Sequence, residues 1–423
     1  MANPRFVEGE VRIIGHRWSP RVHTLKTFFA RSRVPYQWLD IDRDDEAHAV
    51  AERAVPGIKQ YPVVLFPDGS FLVEPDVRTV AEKLGLDTEP GARFYDLIIV
   101  GGGPAGLSAA IYATSEGLRT VIVEQEAPGG QASYSASIEN YPGFPKGLSG
   151  STLTRRAVEQ AERFGTEILV TRRATGIRAD GQHRLVTLDD GTELGSHAVL
   201  LTTGVTFRWL TAPGCSSLVG AGLYYGAATA EASACREQDI YILGGGNSAG
   251  QAALLLAQYA HRVIILALED SLEETMSKYL VERIRHTENI TVRTNHTVAG
   301  VEGSDHLEWL TIQNVKTGET ERVPTNGLFV FIGATPRTEW LAGTVARDEQ
   351  GFILSGFDFI RDEQLRPSWP LDREPYRLET SMPGMFVAGD VRKGSVKRVA
   401  TAVGEGAMAV QFIHQYYRRK DGK

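Results

Sequence analysis

The stretch "LIIVGGGPAG" (residues 97–106) runs an apolar strand into the pattern Gly101-x-Gly103-x-x-Gly106, and "LSAAIYATSEG" carries on from it with helical spacing. In such a strand–turn–helix unit the first glycine makes the tight turn, the second lets phosphate oxygens approach the backbone, and the third lets the helix pack close. Pro104 and Ala105 open the helix, whose N-terminal amides and positive dipole end suit a pyrophosphate. A second strand, "TVIVE", ends in Glu124, where a carboxylate can accept both hydroxyls of a ribose. Strand, glycines, helix, strand and terminal acid together predict a dinucleotide site. "YILGGGNSAG" (residues 241–250) repeats the plan with strand "DIYIL", the pattern Gly244-x-Gly246-x-x-Ala249, helix "GQAALLLAQYA" and strand "RVIILAL". Asn247 and Ser248 stand at the start of that helix. The two fingerprints lie a domain's length apart, so two dinucleotide-binding domains are expected.

Upstream, residues 1–88 form a block of their own. Apolar runs at "VRIIGH", "YQWLDID", "PVVLF" and "SFLVEP" predict strands, and "HTLKTFFARSRV", "EAHAVAERA" and "DVRTVAEKLG" predict helices. The order β-α-β-α-β-β-α, with Pro62 opening the third strand, resembles the thioredoxin/glutaredoxin fold. The polar "DTEPGARF" reads as a linker. Downstream, "GMFVAGDV" (residues 384–391) is a short strand ending in Gly-Asp, followed by a long small-residue helix from Val399, so the chain returns to its first dinucleotide domain. The expected organisation is 1–88, 93–206, 207–324 and 325–423. The fold class is α/β: two Rossmann-like three-layer domains plus the N-terminal α/β domain.

The 423 residues are too many for one ordinary core, and 42% apolar with 23% charged is the balance of a globular protein. A net charge of −7 with no long run of one sign argues against nucleic acid as the main partner. No apolar stretch reaches the roughly 20 residues that span a bilayer, and no secretory layout opens the chain, so a cytoplasmic enzyme is expected. The ten histidines show no metal-ligand spacing, and Cys215 and Cys235 are the only cysteines. No disulfide framework and no metal site follow from them.

The set "GGGPAGLSAA", "PGGQ" (residues 128–131), "IENYPGFP" (138–145), "TTG" (202–204), "GGGNSAG", "FIGATPRT" (331–338) and "MFVAGDV", in that order over residues 94–415, resembles the low-molecular-weight thioredoxin reductase family. The resemblance implies FAD at the first fingerprint, NADH or NADPH at the second, and a homodimer. It places Gly130, Gln131, Asn140, Thr203 and Gly204 around the flavin, and Gly389 and Asp390 on its ribityl-pyrophosphate. The Arg398–Val399 amides would open a helix at the pyrimidine edge of the ring. Gly333 joins the cofactor residues on the same basis.

Three stretches depart from that family. Its Cys-x-x-Cys before the second fingerprint is replaced by "YYGAATAEASAC", with Gly226, Ala227, Ala228, Thr229 and Ala230 in the region. The thioredoxin-like block likewise reads "RWSPRV", with Ser19 and Val22 at the two cysteine positions. Cys215, in a turn after "APG", and Cys235, in a helix ahead of strand "DIYIL", read as core or stray thiols. Secondly, the cationic run that binds a 2′-phosphate in NADPH-using members is here Ala267-Leu268-Glu269-Asp270, with Glu273 beyond it. Carboxylates there repel a phosphate and accept from a free ribose hydroxyl, which favours NADH. "SLEETMSKYLVERI" after it predicts a helix. Thirdly, "GFDFIRDEQLRPSWPLDREPYRLETSMPG" is long for the family and predicts a loop or flap near the flavin.

The expected function is electron transfer from reduced nicotinamide, NADH in preference to NADPH, through FAD to a small-molecule or electron-carrier protein acceptor, without a dithiol relay. A disulfide reductase by another route, and a non-catalytic flavin-binding sensor or scaffold, are the alternatives.

Overall fold

A computed structural model describes residues 10–135, 138, 140–225, 235–360 and 369–420. The chain forms two compact units: residues 1–80, 134–136 and 207–333 in one, and 81–133, 137–206 and 334–423 in the other.

The first unit begins with β1 (Val11–Gly15), α1 (Pro20–Arg31), β2 (Tyr36–Asp40), α2 (Asp45–Ala54), β3 (Val63–Leu65), β4 (Phe71–Val73) and α3 (Val77–Lys83), the predicted order. β1 lies between parallel β2 and antiparallel β3, and β4 closes the sheet. Ile14, Leu39 and Val63 pack on Ala47 and Ala51. Ser19 caps α1, its Oγ accepting the Val22 N–H at 3.4 Å, and Val22 is buried. Both positions therefore do structural work, one as a helix cap and one as core.

The unit boundary falls inside α3 rather than at residue 88. The segment expected as a linker is pinned to the second unit by Arg172, whose side chain is wholly buried. Its guanidinium donates to the Thr88 carbonyl at 3.0 Å and the Glu89 carboxylate at 2.9 Å, and pairs with Asp189 and Asp190. A buried cation is tolerable only when paired in this way, and nothing local in the sequence announces those partners.

The second unit holds β5 (Phe94–Val100), α4 (Pro104–Ser115), β6 (Thr120–Val123), α5 (Gly150–Arg163), β7 (Glu167–Leu169), β8 (Ala174–Asp180), β9 (His183–Leu188) and β10 (Glu193–Leu201). β7, β6, β5 and β10 run parallel, and β9 and β8 extend the sheet antiparallel. The four residues of β6 are fully buried, as strands covered on both faces must be. After β11 (Thr206–Phe207) the chain enters the first unit.

There α6 (Cys215–Leu218), β12 (Leu223–Tyr225), β13 (Asp239–Leu243), α7 (Asn247–Leu256), β14 (Arg262–Ala267), α8 (Lys278–Arg285) and β15 (Ile290–Thr294) follow. β16 (His296–Glu302), β17 (Trp309–Asn314) and β18 (Thr320–Pro324) form an antiparallel meander. The next strand, β19 (Leu328–Val330), lies between β12 and β13 in a parallel five-stranded sheet. The run "LFV" of β19 is buried and finds its partners in the second fingerprint's sheet.

The single helix expected over 271–284 is instead a short turn of 3₁₀ helix at Leu272–Glu274 followed by α8. The break has a tertiary cause. The Thr275 hydroxyl donates to the Gly245 carbonyl at 2.9 Å, and the Ser277 N–H to Asn247 Oδ1 at 2.7 Å. Cys215 likewise begins a short helix rather than sitting in a turn.

The chain passes β20 (Ala334–Thr335) and α9 (Phe357–Ile360), then completes the second unit with β21 (Met385–Val387), parallel to β10, and α10 (Val399–Lys420). Part of the long segment before β21, residues 361–368, lies outside the described residues. Its second half is anchored by Arg373, which donates twice to the fully buried Glu379 carboxylate at 2.7 Å. Glu379 also accepts from the Gly384 N–H at 3.0 Å, and Tyr376 stacks on Phe386 and Phe412. These contacts hold the described half at the entry to β21, whereas Gly389 and Asp390 follow its exit. This half is a loop, as the sequence predicts.

Candidate functional site: two glycine turns

At the end of β5, Gly101 has φ 108° and a side chain there would meet the Thr202 carbonyl oxygen at 2.5 Å. A Cβ at Gly106 would overlap the Gly101 carbonyl, so the helix can approach the turn only with glycine. Gly103 caps α4 with open space in front of it; the one nearby atom is Gly130 Cα at 3.9 Å. That space lies at the helix N-terminus, before Pro104 and Ala105, where an anionic group is favoured. Gly130, at φ 57°, can have no side chain either, because an added Cβ would come within 2.9 Å of Gly103 Cα.

Glu124 follows β6 and is buried. Its Oε2 accepts the Gly102 N–H at 2.7 Å and its Oε1 accepts the Glu126 N–H at 2.9 Å. Gln131 is tied to the strand-end loop by its Nε2 donating to the Val205 carbonyl at 2.6 Å. In that loop the Thr203 hydroxyl is buried with no hydrogen-bond partner among the described residues, and Gly204 has φ 62°. A buried hydroxyl without a partner marks a place where a ligand atom can be accommodated.

Gly389, at φ 78°, sits against Ala105, where an added Cβ would come within 3.0 Å of the Ala105 Cβ. Its N–H donates to Glu405 Oε2 at 2.8 Å. Asp390 follows, its carboxyl pushed above the usual range by burial, with Lys397 opposing and Glu405 adding to the shift. Val399 and Pro104 line one cavity of about 350 Å³. The structure thus brings Gly101, Gly103, Pro104, Ala105, Gly106, Glu124, Gly130, Gln131, Thr203, Gly204, Gly389, Asp390 and Val399 into one neighbourhood. Arg398, next to Val399, is exposed; Asn140 is also exposed, and no contact ties it to this group. Glu405, which fixes Gly389, carries no motif signal, and although Thr202 opens the "TTG" stretch, its bond to the Gly101 carbonyl at 2.7 Å is visible only in three dimensions.

The second turn is built alike. Gly244 has φ 138°, and a Cβ there would overlap the Phe331 carbonyl; Gly246 caps α7 with nothing within 4 Å of an added Cβ. Ala249 is buried, Asn247 bonds to Ser277, and Ser248 is exposed. Glu269, just after β14, lies directly over Gly245, and its Oε2 is buried with no hydrogen-bond partner among the described residues. The other acids of the run are engaged on the surface: Asp270 with Lys316 and Glu273 with Arg285. Gly333, at φ 94°, has open space around its α-carbon, and its carbonyl accepts the Arg208 N–H at 2.9 Å. Both turns fit a dinucleotide: each has room at the helix-capping glycine and a carboxylate at the following strand end.

Cys215 and Cys235 are buried and form no disulfide. Cys235 belongs to the apolar layer with Ile240, Ile242, Val263 and Ile265, whereas Cys215 belongs to that with Tyr241, Leu243, Ile264 and Leu266. Alternate residues of a strand face opposite ways, so the sheet separates the thiols, and they cannot reach the short Cα spacing a disulfide needs. Burial pushes the Cys215 thiol up. Residues 226–234, where a family dithiol would stand, lie outside the described residues.

The pyridine nucleotide-disulphide oxidoreductase family model matches residues 95–406. Thioredoxin reductase of Treponema pallidum is 34% identical over 323 residues, 76% of this chain and 97% of that protein. The bifunctional thioredoxin reductase/thioredoxin of Mycobacterium leprae is 33% identical over 77% of this chain and 66% of its own length. A component of the alkyl hydroperoxide reductase of Staphylococcus aureus is 31% identical over 81% of this chain and 64% of its own. Among solved structures, thioredoxin reductase of Lactococcus lactis superposes with a TM-score of 0.68 at 30% identity, over 76% of this chain and 98% of that one. With two glycine turns of matching design and a family match over most of its length, the chain is an oxidoreductase of the pyridine nucleotide-disulphide oxidoreductase family.

Proposed function

We propose that the protein is an FAD-dependent oxidoreductase that takes electrons from a reduced nicotinamide, NADH in preference to NADPH, and delivers them to an acceptor without a dithiol of its own. FAD, when bound, supplies a ring that takes up two electrons from a nicotinamide and releases them to an acceptor. Gly103, Pro104 and Ala105 would hold its pyrophosphate and Glu124 its adenosine ribose. Gln131, Thr203 and the Arg398–Val399 amides would meet the ring, the amides favouring negative charge on it as oriented N–H groups do.

The observation that carries the donor assignment is the unpartnered Glu269 oxygen above Gly245. A buried carboxylate oxygen left unpaired is costly, and a ribose 2′-hydroxyl donating to it removes that cost. A 2′-phosphate would add repulsion instead. The absence of a relay rests on the sequence, with cysteine at neither Ser19 nor Val22, and on the separation of Cys215 from Cys235 across the sheet. The strand order β2-β1-β3-β4 and the helix placement support a thioredoxin-like N-terminal domain that has lost its redox pair. The groove along α4, α5 and α10, with Leu107, Ile111 and Tyr112 on its floor and rim, supports a homodimer through that face. No described helix is long and apolar enough to cross a membrane.

The test is turnover of NADH with a panel of acceptors by wild type and by Cys215→Ser/Cys235→Ser. Equal turnover of a quinone or one-electron acceptor by both supports a thiol-free route. Thioredoxin reduction that disappears in the double variant would establish a cysteine relay. FAD bound but reduced by no nicotinamide would favour the sensor reading.

A further inference from the structure

Between β21 and α10 the chain reads "VRKGSVKRV", with four cations and no acid between Arg392 and Arg398 in a protein of net charge −7. Lys393, Val396, Lys397 and Arg398 are all exposed, and Val396, at 66%, is the most exposed large apolar side chain among the described residues. The loop is anchored at Arg392, Lys393 and Lys397. Arg392 pairs with Glu405 at 2.5 Å, its N–H donates to the Gly389 carbonyl at 3.0 Å, and the Lys393 N–H donates to the Ile353 carbonyl at 2.9 Å. Gly394 turns the chain at φ 71°, and Lys397 stays at φ 54° with its ammonium 4.8 Å from the Phe352 ring centre. Non-glycine residues persist in this backbone region only where their surroundings impose it.

A preformed set of exposed cations around one apolar tip suits a protein that is acidic where it docks, since charge complementarity steers encounter and a small apolar contact holds it. The nearby carboxylates are otherwise engaged: Glu405 is paired with Arg392, and Asp390 is largely buried. The loop also joins the two elements, Gly389–Asp390 and the start of α10, that the proposed function assigns to FAD.

We propose that the Lys393–Arg398 loop is the docking surface for an acidic one-electron carrier protein. This rests on the oxidoreductase reading above and names its acceptor. Each reduced nicotinamide gives up two electrons, so two oxidised carriers take one each in turn: NADH + 2 carrier(ox) → NAD⁺ + H⁺ + 2 carrier(red).

The test compares Lys393→Glu/Lys397→Glu with Arg418→Glu/Arg419→Glu. The second pair makes the same charge change on exposed residues near the far end of α10, about 30 Å away by helix rise. Binding to an immobilised plant-type [2Fe–2S] ferredoxin is measured at low and high salt, with and without FAD. Binding at low salt that weakens about tenfold or more by 0.3 M NaCl, is lost in the loop variant and survives in the tail variant is the expected result. In parallel, photoreduced protein is mixed with ferricyanide, a small trianion. Its reoxidation rate should fall with salt in wild type and fall in the loop variant alone. Absence of ferredoxin binding at low salt, equal effects of the two variants, or a ferricyanide rate that rises with salt as the overall charge dictates would each overturn the proposal. A protein without FAD would instead defeat the oxidoreductase reading, and the ferredoxin measurement would still be read.

Discussion

At the first glycine turn each Glu124 oxygen already accepts from the protein, from the N–H groups of Gly102 and Glu126, and keeps a lone pair for a ribose hydroxyl; at the second, Glu269 keeps one buried oxygen without a partner. The third fingerprint position differs as well. Gly106 has no room for a side chain against the Gly101 carbonyl, whereas the second turn accommodates Ala249. The first site is therefore locked by its own backbone and suits a resident cofactor. The second leaves a charge waiting for a ligand and suits a nucleotide that comes and goes. One fingerprint can serve either purpose, and the difference lies in what the protein itself satisfies.

The comparison breaks most sharply at the first turn. Gly106→Ala should destabilise the protein by about 3 kcal/mol or more, since the added methyl overlaps a backbone carbonyl that cannot move freely. Gly103→Val, by contrast, enters open space. It should leave the thermal midpoint of the apoprotein nearly unchanged while abolishing the yellow colour, because it fills the approach to the pyrophosphate. Denaturation curves and flavin absorbance on the two variants separate packing from binding.

A smaller effect is expected at Glu269. Glu269→Gln should weaken NADH binding about tenfold, or about 1.4 kcal/mol, by replacing the carboxylate that accepts the ribose hydroxyls. The nucleotide-free variant should be as stable as wild type or more so, because it removes a carboxylate oxygen that is buried without a hydrogen bond. Titration of nucleotide and a melting curve on the same sample read both. Glu273→Gln, whose parent carboxylate is on the surface with Arg285, should change neither.

The smallest effect is at the tolerant position. Ala249→Gly should cost about 1 kcal/mol of stability through helix propensity alone, with NADH affinity kept. A loss of affinity would show that the second turn is as tightly finished as the first.

What could be read from the chain follows the same divide. Both fingerprints, their strands and helices, and the β-α-β-α-β-β-α order depend on spacing within a few residues, and they stand where the sequence puts them. Glu269 and Glu273 look equivalent in sequence; only the fold reveals that Arg285 takes one and leaves the other. The break at Thr275–Ser277 and the pinning of the linker by Arg172 arise from partners 30 to 84 positions away. The same holds for β19, whose neighbours in the sheet are strands far earlier in the chain. Cys215 and Cys235 read as core thiols in the sequence, and the alternation of β13 and β14 then puts them in different apolar layers.

The central claim is that the second turn receives NADH and passes its electrons onward through the first. Anaerobic stopped-flow mixing of the FAD-bound protein with each nicotinamide tests it most directly, by following loss of flavin absorbance. The account predicts bleaching by both, faster with NADH by about tenfold or more at subsaturating concentration, about 1.4 kcal/mol of discrimination. Faster bleaching by NADPH, or none with either donor while FAD remains bound, would contradict it.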